Sequence, residues 1–427
     1  MSPTFASLSI RNYRIYALGA IVSNVGTWMG RVAQDWVVLT ELTDHSASAL
    51  GIVTGLQFLP MLLLAPWTGA VTDRYPKRAL LLLTQAVLGL TALVGGLLVV
   101  TGAAQLWHFY LLALMTGVAT AFDNPARQTF VSEMVPRERL SNAVALNSAS
   151  FNLGRLIGPA VAGLVIAGIG SGQALLVNSL SFVTVIIALL LMRASELTPA
   201  PRVTGRGSAL EGLRYVRGRP DIVLVMVLIF VLGTFGMNFQ ITIALMATQV
   251  FGKGAEEYGL LGSVMAIGSL SAALLAARRS EPRLRVLLLS LVGFTFAATG
   301  AALAPTYATF AVALAACGLT ALTAMTTANA MVQMRTEATM RGRVMALYMA
   351  IFFGGTPLGA PIIGWIGDVL GPRWTIGIGA AAVGITLVVV SIWLGRHENV
   401  EVTYSSQRRP RVRVSSAPTH DVPQAAR

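Results

Sequence analysis

The chain has 427 residues, of which 55% are hydrophobic and only 11% charged, with a mean hydropathy of +0.70. Soluble domains carry about 25% charged residues, so this composition excludes an ordinary soluble enzyme and points to a polytopic membrane protein. The formal charge of +13 falls in loops between apolar runs, which is a topology signal and not a nucleic-acid-binding stripe.

The first apolar run begins at Tyr13, with Arg11 and Arg14 at its start, and continues past 20 residues, as a mature span does and a cleavable leader does not. The spacing predicts spans at 13–42, 49–70, 79–101, 106–130, 142–170 and 172–192. A polar segment at 131–141 carries Arg137 and Arg139. Residues 193–220 are rich in Arg, Pro and Gly and read as a linker, with a short amphipathic helix around 209–216. A second set of spans follows at 221–250, 258–277, 286–303, 307–334, 344–369 and 374–394. The tail, 396–427, is polar and reads as disordered. The domains are therefore 1–192, a six-helix bundle; 193–220, a linker; 221–395, a second six-helix bundle; and the tail.

Charge placement tests this count. With both termini on the cytoplasmic side, the inward segments hold nearly all the Arg and Lys. The outward loops hold Glu41, Asp44, Lys253, Glu256, Glu257, Asp368 and Arg373. A shift by one helix inverts the pattern, so twelve spans satisfy the positive-inside rule and eleven or thirteen do not. The halves also match each other. An offset of 201 carries Asn142-Ala-Val-Ala-Leu-Asn147 onto Arg343-Val-Met-Ala-Leu-Tyr348, Gly154 onto Gly355, Gly158 onto Gly359 and Gly163 onto Gly364. The fold class is thus all-α and integral to the membrane, with twelve transmembrane helices in two pseudo-symmetric six-helix bundles.

Between the second and third spans lies Gly69-x-x-x-Asp73-Arg74-x-x-Lys77-Arg78. It resembles the signature loop of the major facilitator superfamily, Gly-x-x-x-Asp-Arg/Lys-x-Gly-Arg-Arg/Lys. Pro76 stands where that pattern has its second Gly, and Lys77 where it has an Arg. The resemblance implies that Asp73 latches the two halves on the cytoplasmic side, with Arg74, Lys77 and Arg78 as its charged neighbours. A plain topological anchor is the alternative. In the fifth span, Gly154-Arg155-x-x-Gly158-Pro159-x-x-x-Gly163 resembles the Gly-x-x-x-Gly-Pro-x-x-x-Gly pattern of the superfamily's drug and proton antiporters. Generic small-residue packing is the alternative there. The segments Ile10-Arg-Asn-Tyr-Arg-Ile-Tyr16, Val25-Gly-Thr-Trp-Met29 and Arg341-Gly-Arg-Val344 resemble the branch that includes the enterobactin exporter, whose members are multidrug or secondary-metabolite efflux proteins.

Charges inside spans are few, and each costs about 3 kcal/mol on insertion scales. Arg31 and Asp35 sit four apart, on one face of the first span. Arg155 is near the middle of the fifth. Asp123 and Arg127 lie one turn apart in the inner half of the fourth and are assigned to the cytoplasmic gate. Asp35 is the first candidate for proton coupling, with Arg31 or Arg155 as its partner, and Asp123 is a further candidate; a static ion pair, or an interfacial Asp35 already wet, is the alternative. Polar cavity candidates are Asn24, Gln57, Asn147, Asn152, Asn238, Gln240, Asn329 and Gln333, and apolar ones Trp28, Trp36, Phe58, Phe151, Phe235, Met237 and Phe239, although each type also serves ordinary packing.

Four histidines lack ligand spacing, and Cys317 stands alone in an apolar run, so no metal, disulfide or cofactor is expected. No P-loop, HExxH or GxSxG arrangement is present, which excludes ATP hydrolysis and makes an embedded enzyme a poor reading. The expectation is a secondary transporter in the inner membrane, working as a monomer. It exports small amphipathic molecules, drugs or secondary metabolites with siderophores among them, in exchange for protons by alternating access. The rivals are an uptake transporter on the same fold and a non-transporting receptor.

Overall fold

A computed structural model of the chain describes residues 3–198, 209–279, 281–337, 339–397, 400–405 and 411–416. The membrane part is helical throughout, because a bilayer offers no water to satisfy backbone groups and each span must bond its own. The first half runs α1 (Arg11–Trp36), α2 (Ala47–Leu63), α3 (Ala65–Arg74), α4 (Lys77–Val100), α5 (Leu106–Met134), α6 (Arg137–Ile169) and α7 (Ser171–Leu191). A short helix, α8 (Ala209–Arg217), leads into the second half. That half runs α9 (Pro220–Val231), α10 (Phe239–Leu245), α11 (Ala255–Ala277), α12 (Leu284–Ala302), α13 (Tyr307–Arg335), α14 (Arg341–Leu370) and α15 (Pro372–His397).

Among the described residues ten helices are long and apolar enough to cross a membrane, and the bent pair α2–α3 makes an eleventh. The twelfth is α1. Arg11, Arg14, Arg31 and Asp35 make it less apolar than the rest, yet it packs between α6 and α7 as a member of the bundle.

Local sequence explains where the elements stop. Tyr75 is extended at φ −101°, ψ 150°, as a residue before proline must be, so α3 ends at Arg74 and the expected loop shrinks to Tyr75–Pro76. The expected polar segment 131–141 likewise shrinks to Val135–Pro136, because α5 continues to Met134 and Pro136 starts α6. Gly170 and Gly371 end α6 and α14 at φ +104° and +96°, a region that side chains avoid. They are again 201 residues apart, so the backbone repeats as the sequence does.

Two spans differ from the uniform helices expected. The second bends by 66° between Leu63 and Trp67, just past Pro60, which removes a backbone bond inside α2. The seventh breaks at Met237–Asn238 between α9 and α10, with wide turns at Leu232–Gly236 and Met246–Val250. There the Asn238 side chain donates to the Thr234 carbonyl at 2.7 Å. The first span also ends in a wide turn, Val37–Glu41.

Of the linker, residues 199–208 lie outside the described part. Of the tail, Val400–Ser405 and Arg411–Ser416 pair as an antiparallel hairpin, Val402 opposite Val414 and Tyr404 opposite Val412. Alternating Val/Tyr and polar residues supply the period of two that a strand needs, and the rest of the tail expected to be disordered, 398–399, 406–410 and 417–427, lies outside the described residues.

The start of α1, the end of α15, α8 and the turns at 75–76 and 135–136 gather at one end of the bundle, here the terminal end. Ser7 holds Asn142, Asn12 holds Arg193, and Glu211 pairs with Arg343 at 2.9 Å. The turns at 42–46, 170, 251–254 and 371 form the far end, where Gln249 bonds the His45 carbonyl at 2.9 Å.

Candidate functional site

The halves meet along two helix pairs, α2 with α14 and α6 with α11. Glycines permit the approach. A Cβ on Gly163 would lie 2.6 Å from Ala255 O, and one on Gly259 would collide with the Pro159 carbonyl. In the other pair, a Cβ on Gly51 would lie 2.5 Å from Ala360 O, and one on Gly364 would collide with the Ala47 carbonyl. All of these lie in the far-end portion of the helices. Asp368 adds a polar tie there: its carboxylate accepts from Ala47 N at 2.6 Å, Ser48 N at 3.0 Å and Ser46 Oγ at 3.3 Å, capping α2 from across the seam.

The terminal end is parted. Beyond Leu62, which meets Gly354, the bend carries α3 towards α4 and α5. Gly69 has open space where a Cβ would stand. Asp73 and Arg74 are exposed, and among the described residues Asp73 makes no ion pair. Their sequence-expected partners are instead bound within the first half. Lys77 Nζ meets Glu133 Oε1 at 2.6 Å, and Arg78 donates to the Leu189 and Leu190 carbonyls.

At the floor of the far-end closure stand the embedded charges of α1 and α6. Trp28, Arg31 and Asp35 follow at three- and four-residue steps on α1. The Arg31 guanidinium lies 4.9 Å from the Trp28 ring centroid and that of Arg155, from α6, 5.8 Å. Phe151, one turn before Arg155, sets its edge against Trp28 at 5.8 Å. Asp35 is only 3% exposed, and its Oδ2 accepts from Tyr258 Oη of α11 at 3.3 Å. Trp36 stacks on the same tyrosine at 6.2 Å. Among the described residues Asp35 forms no ion pair with Arg31 or Arg155, so its partner here is Tyr258, which the sequence reading did not name.

The other candidates divide. Gly154 and Gly158 seat α6 on Asn24 and Trp28, while Pro159 and Gly163 face α11, so the antiporter-like motif forms both of α6's packing faces. Asp123 does not join Asp73. Its carboxylate accepts from Thr84 Oγ1 at 2.7 Å and Gln85 Nε2 at 2.8 Å and pairs with Arg127 at 3.1 Å, which ties α4 to α5. Asn24 bonds Ser150, Asn152 bonds the Ser148 carbonyl of its own helix, and Asn329 accepts from Gln333 at 2.7 Å. Asn147 and Gln240 are half-buried. Glu133 and Tyr258 are polar groups that sequence reasoning passed over, and Asp368 entered it only as an outward-loop charge.

Two bundles related by a repeat, closed on each other at one end and parted at the other, with charges in the seam, define a major facilitator transporter. The chain belongs to the transmembrane secretion effector family, whose model matches residues 2–420. It is therefore a transporter and not an enzyme. It is 26% identical to the staphyloferrin A transporter of Staphylococcus aureus, over 85% of this chain and 92% of that one. It is also 26% identical to the enterobactin exporter EntS of Shigella boydii, over 84% and 87%. Among solved structures the fold matches a bacterial homologue of the human lysosomal transporter Spinster, in an inward-facing, unoccupied conformation, with TM-score 0.65, 17% identity and coverage of 92% and 96%. It also matches the nucleoside transporter NupG, with TM-score 0.67, 11% identity and coverage of 89% and 98%.

Proposed function

We propose that the protein exports small amphipathic compounds, siderophores or other secondary metabolites, across the cytoplasmic membrane by proton antiport. Both termini lie in the cytoplasm, which makes the parted end the cytoplasmic one and the conformation inward-facing. The charge asymmetry of the loops supports this orientation. One chain carries the whole cycle: the bundles rock about the seam, and the substrate site faces each side in turn.

The observation that carries the reading is Asp35. It is an embedded carboxylate, 3% exposed, whose hydrogen bond to Tyr258 crosses the seam at the closed end. Opening that end breaks the bond and wets the carboxylate, so protonation and gate position are linked. The names of the siderophore-handling relatives point to the cargo, and Asp73 supplies a latch for the opposite, outward-open state.

The test uses everted membrane vesicles from cells making the wild type or Asp35→Asn. Staphyloferrin A, enterobactin and an uncharged amphipathic dye are offered as cargo. Wild-type vesicles given a proton gradient should accumulate at least one of them, and a protonophore or Asp35→Asn should abolish the uptake. Wild-type rates in Asp35→Asn would remove Asp35 from coupling, and accumulation that ignores the protonophore would remove antiport.

A further inference from the structure

We infer that Arg31 and Arg155 form an anion subsite beside Trp28, and that the cargo carries a carboxylate or comparable anionic group next to a flat apolar body. This rests on the transport reading and narrows it.

Guanidiniums inside a span are costly and normally meet a carboxylate or backbone carbonyls. Here Asp123 and Arg127 do pair, at 3.1 Å, and so do Lys77 and Glu133, at 2.6 Å. Arg31 and Arg155 do not. Among the described residues neither side chain makes a salt bridge or donates a hydrogen bond, and both are half-buried, so their donors remain accessible. The nearest acid on their own face, Asp35, is engaged by Tyr258.

Geometry makes the two cations one site. Both lie over the same indole, at 4.9 Å and 5.8 Å from its centroid, from different helices. Two guanidiniums set against one indole in a shielded place favour an anion beside them, and their forked donors suit the two oxygens of a carboxylate. The neighbouring Phe151, half exposed, offers the apolar wall for a ring. With one acid against two cations, the site repels a cationic cargo. The position is also apt. Arg155 is one turn on the terminal-end side of Pro159, and Arg31 one turn on that side of Asp35, so an anion bound there sits directly below the closed gate.

Two dyes with one three-ring skeleton separate the charges: fluorescein, an anion at pH 7.5, and rhodamine 6G, a cation. Binding of each to the purified full chain in lipid nanodiscs is read by fluorescence anisotropy. Wild type should bind fluorescein more tightly than rhodamine 6G. Arg31→Gln and Arg155→Gln should each weaken fluorescein by about tenfold or more, the size expected for a charged hydrogen-bonding partner, and leave rhodamine 6G unchanged or tighter. Arg31→Lys and Arg155→Lys, which keep the charge and the fold, should recover part of the loss. A wild type that prefers rhodamine 6G, binds neither dye, or loses nothing in the folded Gln variants would overturn the subsite. The same proteins in liposomes under a pH gradient report transport separately. Arginine-dependent binding without movement leaves the subsite standing and sinks the export reading. Arginine-independent movement does the reverse.

Discussion

Lys77 Nζ lies 2.6 Å from Glu133 Oε1 with both side chains under a tenth exposed, so each charge is tolerated only because the other is there. Glu133→Gln keeps the shape and leaves the ammonium facing a neutral amide. It should lower unfolding stability in detergent by about 3 kcal/mol, seen as a fall in Tm, while Lys77→Met with Glu133→Leu should recover most of the loss. A Tm unchanged in Glu133→Gln would mean that Lys77 is already hydrated. The sequence could place Lys77 on a signature loop but not its partner. Glu133 reads as one polar residue in a polar segment until α5 is seen to continue through it. Tyr258 was hidden for a different reason. An embedded Arg or Asp announces itself by its insertion cost, whereas a tyrosine in an apolar run looks like packing. Its role as hydrogen-bond donor exists only because α11 closes on α1 and α6. Arg31, Asp35 and Arg155 were legible as charges in spans; their sharing of one indole, and the absence of an ion pair among them, were not.

The glycine steps of α6 and α14 were legible as packing faces, and the structure shows which neighbour each step admits. Gly259 was not singled out, since its importance depends on a carbonyl from the other half. A methyl there collides with Pro159 O, which is backbone and cannot swing aside. Gly259→Ala should therefore disfavour the far-end-closed form and shift the population towards the opposite one. Asp368→Asn should act in the same direction but more weakly, by a few-fold, because an asparagine still caps α2. Protection of Cys317 is no use as a readout, being buried in α13, so the check is protease or hydrogen-exchange protection of the turn at 251–254. Faster exchange in both variants, larger for Gly259→Ala, is the expected order; wild-type protection in Gly259→Ala would show that the α6–α11 contact is not what closes this end. The breaks in the second and seventh spans lay beyond a periodicity reading, because Pro60 and Asn238 sit in runs as apolar as any other span.

At the scale of the whole molecule, each end carries one acid near the seam, Asp368 on α14 at the far end and Asp73 on α3 at the terminal end. Asp368, late in α14, caps the start of α2 when the far end is closed. Asp73, late in α3, stands exposed at the terminal end, the end at which α14 begins. If the halves rock as rigid bodies, one tie can form only as the other is released, and the two ends must change in opposite senses. Twelve spans, two halves and their 201-residue repeat were readable from charge and glycine spacing. Which end is closed was not, because both states share every helix and differ only in how the bundles lean. Spin-label distances resolve it, and the single native cysteine, Cys317, is buried and gives little background. Labels at Asp44→Cys with Lys253→Cys span the far end, and labels at Tyr75→Cys with Arg341→Cys span the terminal end. In the resting protein the far-end pair should be short and narrowly distributed and the terminal pair long. Gly259→Ala, or a proton gradient with cargo present, should lengthen the first and shorten the second in the same fraction of molecules. Both distances growing together would indicate loosening instead of rocking, and a change at one end alone would mean that the two acid ties are not linked through the seam.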